Sequence, residues 1–327
     1  MTIIEIAREA EVSVATVSRV LNNGPVSAEK RAKVEAVIAK HRFTPSIQAR
    51  GLVNHKSDAI GLITHGITNH FHLDFIEVVE GRYSEMDYLL YVCICQRDKQ
   101  RENEERYLRN LVARQVDGII LHDVSPENYE SGLIQHVAGL VPLVIVHSLE
   151  TCDGVNSVGV DQALGMKRVM EHLTELGHRD ILFVRGASGF AYDQKQAVWG
   201  QFLQEMGVSR SERDVLVIPE GNSELGIVQA EEQLIELLKD RSTVPTAIFA
   251  CNDGMATGIL HGLRTLGLRV PEDVSLVGHD NTILAASNRI SSVDLKTASV
   301  GHAAIDLLAY AMNGADKEPR RVTITPE

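Results

Sequence analysis

Thr2-Ile3-Ile4-Glu5-Ile6-Ala7-Arg8-Glu9-Ala10-Glu11-Val12-Ser13-Val14-Ala15-Thr16-Val17-Ser18-Arg19-Val20-Leu21, followed by Asn22-Asn23-Gly24-Pro25, decides how this sequence is read. Thr2 with Glu5 three residues on is a capping-box signature, and Ile3, Ile6, Ala7 and Ala10 follow at helical spacing. Ser13 is placed to cap a second helix whose apolar stripe is Val17, Val20 and Leu21, and Asn22 to Pro25 supply turn chemistry. Ser27 opens a third helix, with Val34, Val37 and Ile38 inward and Lys30, Arg31 and Lys33 largely outward. Two short helices joined by a tight turn fit a helix-turn-helix as well as a plain three-helix bundle. In the first case the second helix enters the major groove. Val14 and Ala15 then reach thymine methyls, and Arg19 reaches guanine N7 and O6, a contact of about 1–3 kcal/mol in discrimination. Thr16 and Ser18 suit phosphate, which positions without specifying. Thr2, Ser13 and Asn22 complete the expected DNA-facing set.

Charge supports the same division. The chain of 327 residues carries a net charge of −12, which is unfavourable for a nucleic-acid binder taken whole. Residues 1–56 nevertheless hold nine Lys/Arg against five Asp/Glu, and the remainder holds 23 against 39. A small basic head on an acidic body directs only the head at a polyanion. No run of eighteen apolar residues predicts a membrane span, and residues 1–10 lack the apolar stretch of a secretory signal, so a cytoplasmic location is expected. Four scattered cysteines, Cys93, Cys95, Cys152 and Cys251, carry no zinc spacing and read as packed thiols; no metal and no cofactor are expected.

After residue 58 short apolar runs alternate with amphipathic stretches. Ala59-Ile60-Gly61-Leu62-Ile63, Tyr88-Leu89-Leu90-Tyr91-Val92-Cys93, Gly118-Ile119-Ile120-Leu121 and Leu143-Val144-Ile145-Val146 read as strands. Helices are expected at 75–86 and 102–114. The rhythm restarts with strands at 157–160, 181–184, 214–218, 247–250 and 274–278, and helices at 164–176, 198–206, 230–238 and 254–266. Such alternation predicts two doubly wound parallel-sheet lobes, with a ligand cleft at the strand C-terminal ends.

The stretch from Thr2 to Asn22 resembles the headpiece of the lactose-repressor (LacI/GalR) family of transcriptional regulators over its whole length. Val26-Ser27, Arg31, Val34 and Phe43-Thr44-Pro45 extend the likeness, and Ser46-Ile47-Gln48-Ala49-Arg50-Gly51-Leu52 is similar to the family's hinge. The resemblance implies that the hinge folds into a short helix in the minor groove, that Leu52 wedges between central base pairs, and that Ala49 lies where paired hinge helices touch, with Arg50 alongside. A wedge of this kind unstacks a base step at a cost of a few kcal/mol. The body resembles the family's periplasmic-binding-protein-like core in Arg114-Gln-Val-Asp-Gly-Ile-Ile, Leu176-Gly-His-Arg-Asp-Ile, Pro245-Thr-Ala-Ile-Phe-Ala-Cys-Asn-Asp-Gly-Met-Ala and Gly267-Leu-Arg-Val-Pro-Glu-Asp-Val-Ser-Leu-Val-Gly-His-Asp-Asn. The implied organisation is a headpiece at 1–45, a hinge at 46–57 and a core at 58–327. Its lobe 1 comprises about 58–156 and 287–319, and lobe 2 about 157–286 and 320–327.

The resemblance also implies an effector pocket. Asn252 and Asp280 stand where the family presents an amide and a carboxylate to a ligand. His70, Phe71 and His72 follow Asn69 where the family has Pro-Phe-Phe, and Phe71 can stack on a sugar face or a base. Lys195 stands for a common arginine and lacks its bidentate fork. His147 replaces an aspartate and Leu295 a glutamine, which argues against transferring any known family sugar; the histidines suit an acidic effector or a pH-sensitive site. The chain lacks a Walker loop, a G-x-S-x-G elbow and a G-x-G-x-x-G after a strand, so no enzyme activity is expected. A secreted sugar-binding protein conflicts with the basic head, and a sensor that has lost DNA binding conflicts with Arg19 and Leu52. The expected protein is a homodimeric DNA-binding regulator, a repressor by default. Its partners are a pseudo-palindromic double-stranded DNA operator and a small carbohydrate-like effector bound between the lobes. A purine or nucleoside effector and an activating output are the open alternatives.

Overall fold

The computed structural model describes residues 1–21, 24–43, 56–96, 99–146, 153–187, 189–208, 214–221, 223–239, 244–314 and 318–327. The chain divides into two compact units, 1–57 and 58–327.

The first unit holds α1 (Ile3–Glu9), α2 (Val14–Leu21) and α3 (Ala28–His41). The capping box closes at both ends: Thr2 N–H donates to Glu5 Oε2 at 2.7 Å, and Glu5 N–H donates to Thr2 Oγ1 at 3.3 Å. Ser13 Oγ caps α2 by accepting from Thr16 N–H at 3.2 Å. Ile6, Ala7, Ala10, Val17, Val20, Val34 and Val37 form the small core. Ser27 occupies the position before α3 but makes no side-chain cap there. Arg31 departs from its expected outward placing: it is half-buried, and its guanidinium donates to the Gly24 carbonyl at 2.8 Å, tying the turn after α2 to α3. Lys40 and His41, at the end of α3, both reach the Glu9 carboxylate, at 2.7 and 2.8 Å.

The second unit contains two parallel sheets. The first has the order β11-β5-β4-β3-β1-β2, from β1 (Ala59–Thr64), β2 (Leu89–Ile94), β3 (Gly118–His122), β4 (Leu143–Val146), β5 (Asn156–Val160) and β11 (Arg321–Ile324). The period of two in β1 sends Ile60 and Leu62 to one apolar layer and Ala59 and Ile63 to the other. Helices α4 (His70–Glu85) and α13 (Thr297–Met312) cover the first face; α5 (Gln100–Ala113), α6 (Pro126–Glu130) and α7 (Leu133–Ala138) lie over the second. The second sheet has the order β10-β9-β8-β6-β7, from β6 (Ile181–Gly186), β7 (Val215–Ile218), β8 (Ala247–Ala250), β9 (Ser275–Asp280) and β10 (Ser291–Asp294). Around it lie α8 (Gln162–Glu175), α9 (Phe190–Glu205), α10 (Glu224–Lys239), α11 (Asp253–Thr265) and α12 (Ile283–Asn288). Trp199, Phe183 and Phe249 are fully buried at its centre.

Strand pairing moves the expected crossings near 156, 286 and 320. Ser157 pairs with Ile145 of β4 and Arg321 of β11, so residues 157–160 belong to the first lobe and the chain crosses after Val160. β10 pairs with β9, so the second crossing follows Asp294. β11 returns to β5, so residues 320–324 belong to the first lobe and the third crossing follows Ile324. Beyond it, Asp294 and Glu327 exchange backbone hydrogen bonds at 2.7 and 2.9 Å. A short apolar run does not state which sheet it joins; the partner strand decides. Three helices also begin earlier than periodicity predicts, α4 at His70, α9 at Phe190 and α10 at Glu224.

Candidate functional site

In the first unit, α2 divides by burial. Val17 and Val20 face the core, whereas Val14, Ala15 and Arg19 are exposed and Ser18 is half-buried. Val14 is 45% exposed. Thr16 departs from its expected phosphate role. It is buried, and its hydroxyl pairs with Ser13 Oγ at 2.9 Å, so both groups secure the start of α2. Thr2 and Ser13 are exposed and act as caps. Asn22, Ala49, Arg50 and Leu52 lie outside the described residues, as does most of the expected hinge.

In the second unit, the strand C-terminal ends of both sheets carry the polar residues. β9 ends at Asp280, whose φ of +103° and its neighbour Asn281's +53° turn the chain sharply toward α12. Asp280 is buried. Its Oδ1 stands 3.0 Å from His279 Nδ1, and its Oδ2 accepts from Asn69 Nδ2 at 3.4 Å. Asn69 belongs to the first lobe, where its Oδ1 also caps α4 by accepting from Phe71 N–H at 3.0 Å. His279 Nδ1 lies 3.4 Å from Lys195 Nζ, which donates to the Cys251 carbonyl at 3.2 Å. A polar run Lys195–His279–Asp280–Asn69 therefore passes from the second lobe to the first.

Burial governs the protonation of this run. It pushes the Asp280 carboxyl up to about 7, against the opposing pull of Lys195 and the Asn69 hydrogen bond. It lowers the Lys195 ammonium, and it holds the His279 imidazole well below its ordinary range, assisted by the Lys195 charge. Asp253, at the start of α11, braces the region: Ser292 Oγ donates to its Oδ1 at 2.6 Å, and Thr282 N–H and Oγ1 donate to its Oδ2 at 2.6 and 2.9 Å. Burial also raises Asp253, to about 6.

Not every expected pocket residue is available to a ligand. Asn252 is already engaged on both sides: its Oδ1 accepts from Met255 N–H at 2.8 Å as the cap of α11, and its Nδ2 donates to the Gly221 carbonyl at 2.7 Å. Leu295 is buried in the second lobe's apolar core. Phe71 leaves the first lobe to pack into that same core. His70 is half-buried, with an Nδ1 that has no hydrogen-bond partner among the described residues. His147 lies outside the described residues. Sequence reasoning missed Asn69, Arg185, His279 and His122. Arg185, at the end of β6, reaches Asp193 at 2.7 Å and lies over the Tyr192 ring. The usable signal was position: Arg185, His279 and His122 close predicted strands at the end where cleft chemistry gathers.

His72 was expected at the effector; the structure sets it against a second histidine. His72 Nδ1 stands 3.0 Å from His122 Nδ1, which is 3.3 Å from Thr64 Oγ1. With Asp123 they place three ligand atoms within 4.8 Å of one another, a cluster able to hold a metal ion, where the sequence predicted none.

A helix-turn-helix unit attached to a two-lobed core of parallel sheets, with a polar run between lobes, defines a DNA-binding regulator built on a ligand-binding scaffold. The family model of bacterial regulatory proteins, lacI family, matches residues 2–46, and that of the periplasmic binding protein-like domain matches residues 170–327. Catabolite control protein A of Priestia megaterium is 32% identical over 324 residues, covering 96% of this chain and 93% of that protein. HTH-type transcriptional regulator DegA of Bacillus subtilis (strain 168) is 29% identical, covering 100% and 96%. Among solved structures, the Lac repressor dimer bound to operator and the anti-inducer ONPF superposes with a TM-score of 0.87 at 24% identity, covering 100% of this chain and 97% of that one. A transcriptional regulator CelR–cellobiose complex gives 0.70, also at 24%, covering 100% and 98%. The chain belongs to the lacI family of bacterial regulatory proteins. It is a DNA-binding transcription regulator, and its relatives are regulators rather than enzymes. No helix among the described residues is long and apolar enough to cross a membrane.

Proposed function

We propose that the chain is a homodimeric repressor of a pseudo-palindromic operator, controlled by a small polar ligand lodged between the core lobes, a sugar or sugar derivative. The observation that carries this reading is the Asn69–Asp280 hydrogen bond, which joins the two lobes through one exchangeable polar contact. A ligand hydroxyl entering there replaces Asn69 on the carboxyl. The ligand's different affinity for open and closed lobe arrangements then shifts the DNA-competent population. The exposed Val14, Ala15 and Arg19 read each half-site, and Leu52 is proposed as the central wedge.

The test pairs selection of an operator from random duplexes with a melting screen against monosaccharides, sugar acids, sugar phosphates, nucleosides and purines. A ligand at a hundredfold its Kd stabilises by about 2.7 kcal/mol, a visible shift. One chemical class is expected to raise Tm and change operator affinity, and Asp280→Ala is expected to abolish that shift while leaving DNA binding intact. An undiminished shift in Asp280→Ala removes the cleft assignment, and failure to enrich any sequence removes the regulator mechanism.

A further inference from the structure

We propose that His72, His122 and Asp123 bind a divalent transition-metal ion, with Zn2+ the preferred occupant, on the first-lobe wall of the cleft. Among the described residues this is the one cluster of three such groups with its ligand atoms gathered within 4.8 Å. An ion with bonds of about 2.0–2.1 Å in a tetrahedral site sets ligand atoms roughly 3.3 Å apart. The two imidazole nitrogens already stand at 3.0 Å, and an Asp123 carboxylate oxygen gathers with a nitrogen of each ring within 4.8 Å. A proton shared between the rings also produces a 3.0 Å contact, but it gives no role to a carboxylate set against both of them.

Phe75 stacks on His122 at 4.9 Å with an interplanar angle of 16°, and Phe71 lies 5.7 Å from the same ring. Thr64 Oγ1 lies 3.3 Å from His122 Nδ1, the same nitrogen that faces His72, so its hydroxyl must turn away when an ion takes that lone pair. Glu104, fully buried, and Asp280 lie close enough to act on Asp123, with His65 opposing them. Two imidazoles and one carboxylate suit Zn2+ better than Mg2+ or Ca2+, which take oxygen ligands. Three protein ligands leave a fourth position open. His122 closes β3 and His72 lies in the first turn of α4, whose cap Asn69 reaches the second lobe, so the cluster stands beside the contact between the lobes.

The experiment uses the full-length protein stripped with a chelator. Zn2+ is titrated calorimetrically, and Co2+ serves as a spectroscopic stand-in with visible ligand-field bands. We expect one ion per chain and a raised Tm with Zn2+. His122 packs against Phe75, so the deciding variants are His72→Phe, which keeps an aromatic ring, and Asp123→Asn. Each is expected to weaken Zn2+ by roughly 10–100-fold or more, since even outer-sphere partners act on that scale, and to alter the Co2+ spectrum. His302→Ala, an exposed histidine on α13, is expected to change neither. No uptake by the parent, or undiminished uptake by both deciding variants, overturns the site. Neither DNA nor an organic ligand enters the measurement, so its failure leaves the proposed repressor mechanism standing, and the converse holds.

Discussion

Asp280 is the residue where fold and chemistry conflict most. A non-glycine at φ +103° costs on the order of 1–3 kcal/mol, and the carboxyl is buried as well. Its pKa rises from the usual carboxylate value to about 7, so the folded state prefers the protonated form. The resulting burden on stability is absent below about pH 4 and complete above about pH 7. Asp280→Asn is therefore expected to gain in Tm over the parent as pH rises from about 5 to about 8; an offset that stays constant across that window contradicts the assignment. Legibility at this scale was uneven for a physical reason. The Thr2/Glu5 capping box could be read because both partners lie within one helical turn. Thr16 misled, because a hydroxyl in a recognition helix looks available until Ser13 is seen to take it. Lys195 and His122 were opaque or unnoticed because a side chain's surroundings come from distant segments, Cys251 and His279 for one, Thr64 and His72 for the other.

At the scale of elements, β9 and α11 meet so closely that Gly278 has no substitute. A Cβ there falls 2.4 Å from Asp253 Oδ1, a carboxylate already fixed by Ser292 and Thr282. Gly278→Ala is expected to cost about 1–3 kcal/mol in urea unfolding and to weaken the ligand response, since Asp280 lies two residues on. An unchanged midpoint contradicts this packing. Ser13→Ala is expected to remove about 0.5–2 kcal/mol from the start of α2 and to weaken operator binding without altering the core's ligand response. The strands themselves were legible as short apolar runs, and parallel alternation announced two sheets. Membership was not: β5 reads like the opening strand of the second lobe, yet it pairs with β4 and β11 in the first.

For the whole molecule, the uneven charge along the chain was legible and carries a prediction. Operator affinity is expected to fall steeply with salt, with a slope of about −0.9 per phosphate neutralised. A flat dependence contradicts binding through the basic head. A chain of residues 58–327 keeps both core sheets and their apolar layers, and is expected to retain the ligand's Tm shift while losing DNA binding. What the sequence concealed was the route between lobes, which depends on pairing residues as far apart as Ser157 and Arg321. That route has a mechanical consequence. The chain passes between the lobes after Val160, after Asp294 and after Ile324, and the Asp294–Glu327 backbone pair laces the last two passages together. Two rigid bodies joined by adjacent tethers lose their freedom to slide or twist independently and keep chiefly a rotation about the line of the tethers. On the proposed function, a ligand lodged between the lobes is then read as a single angle.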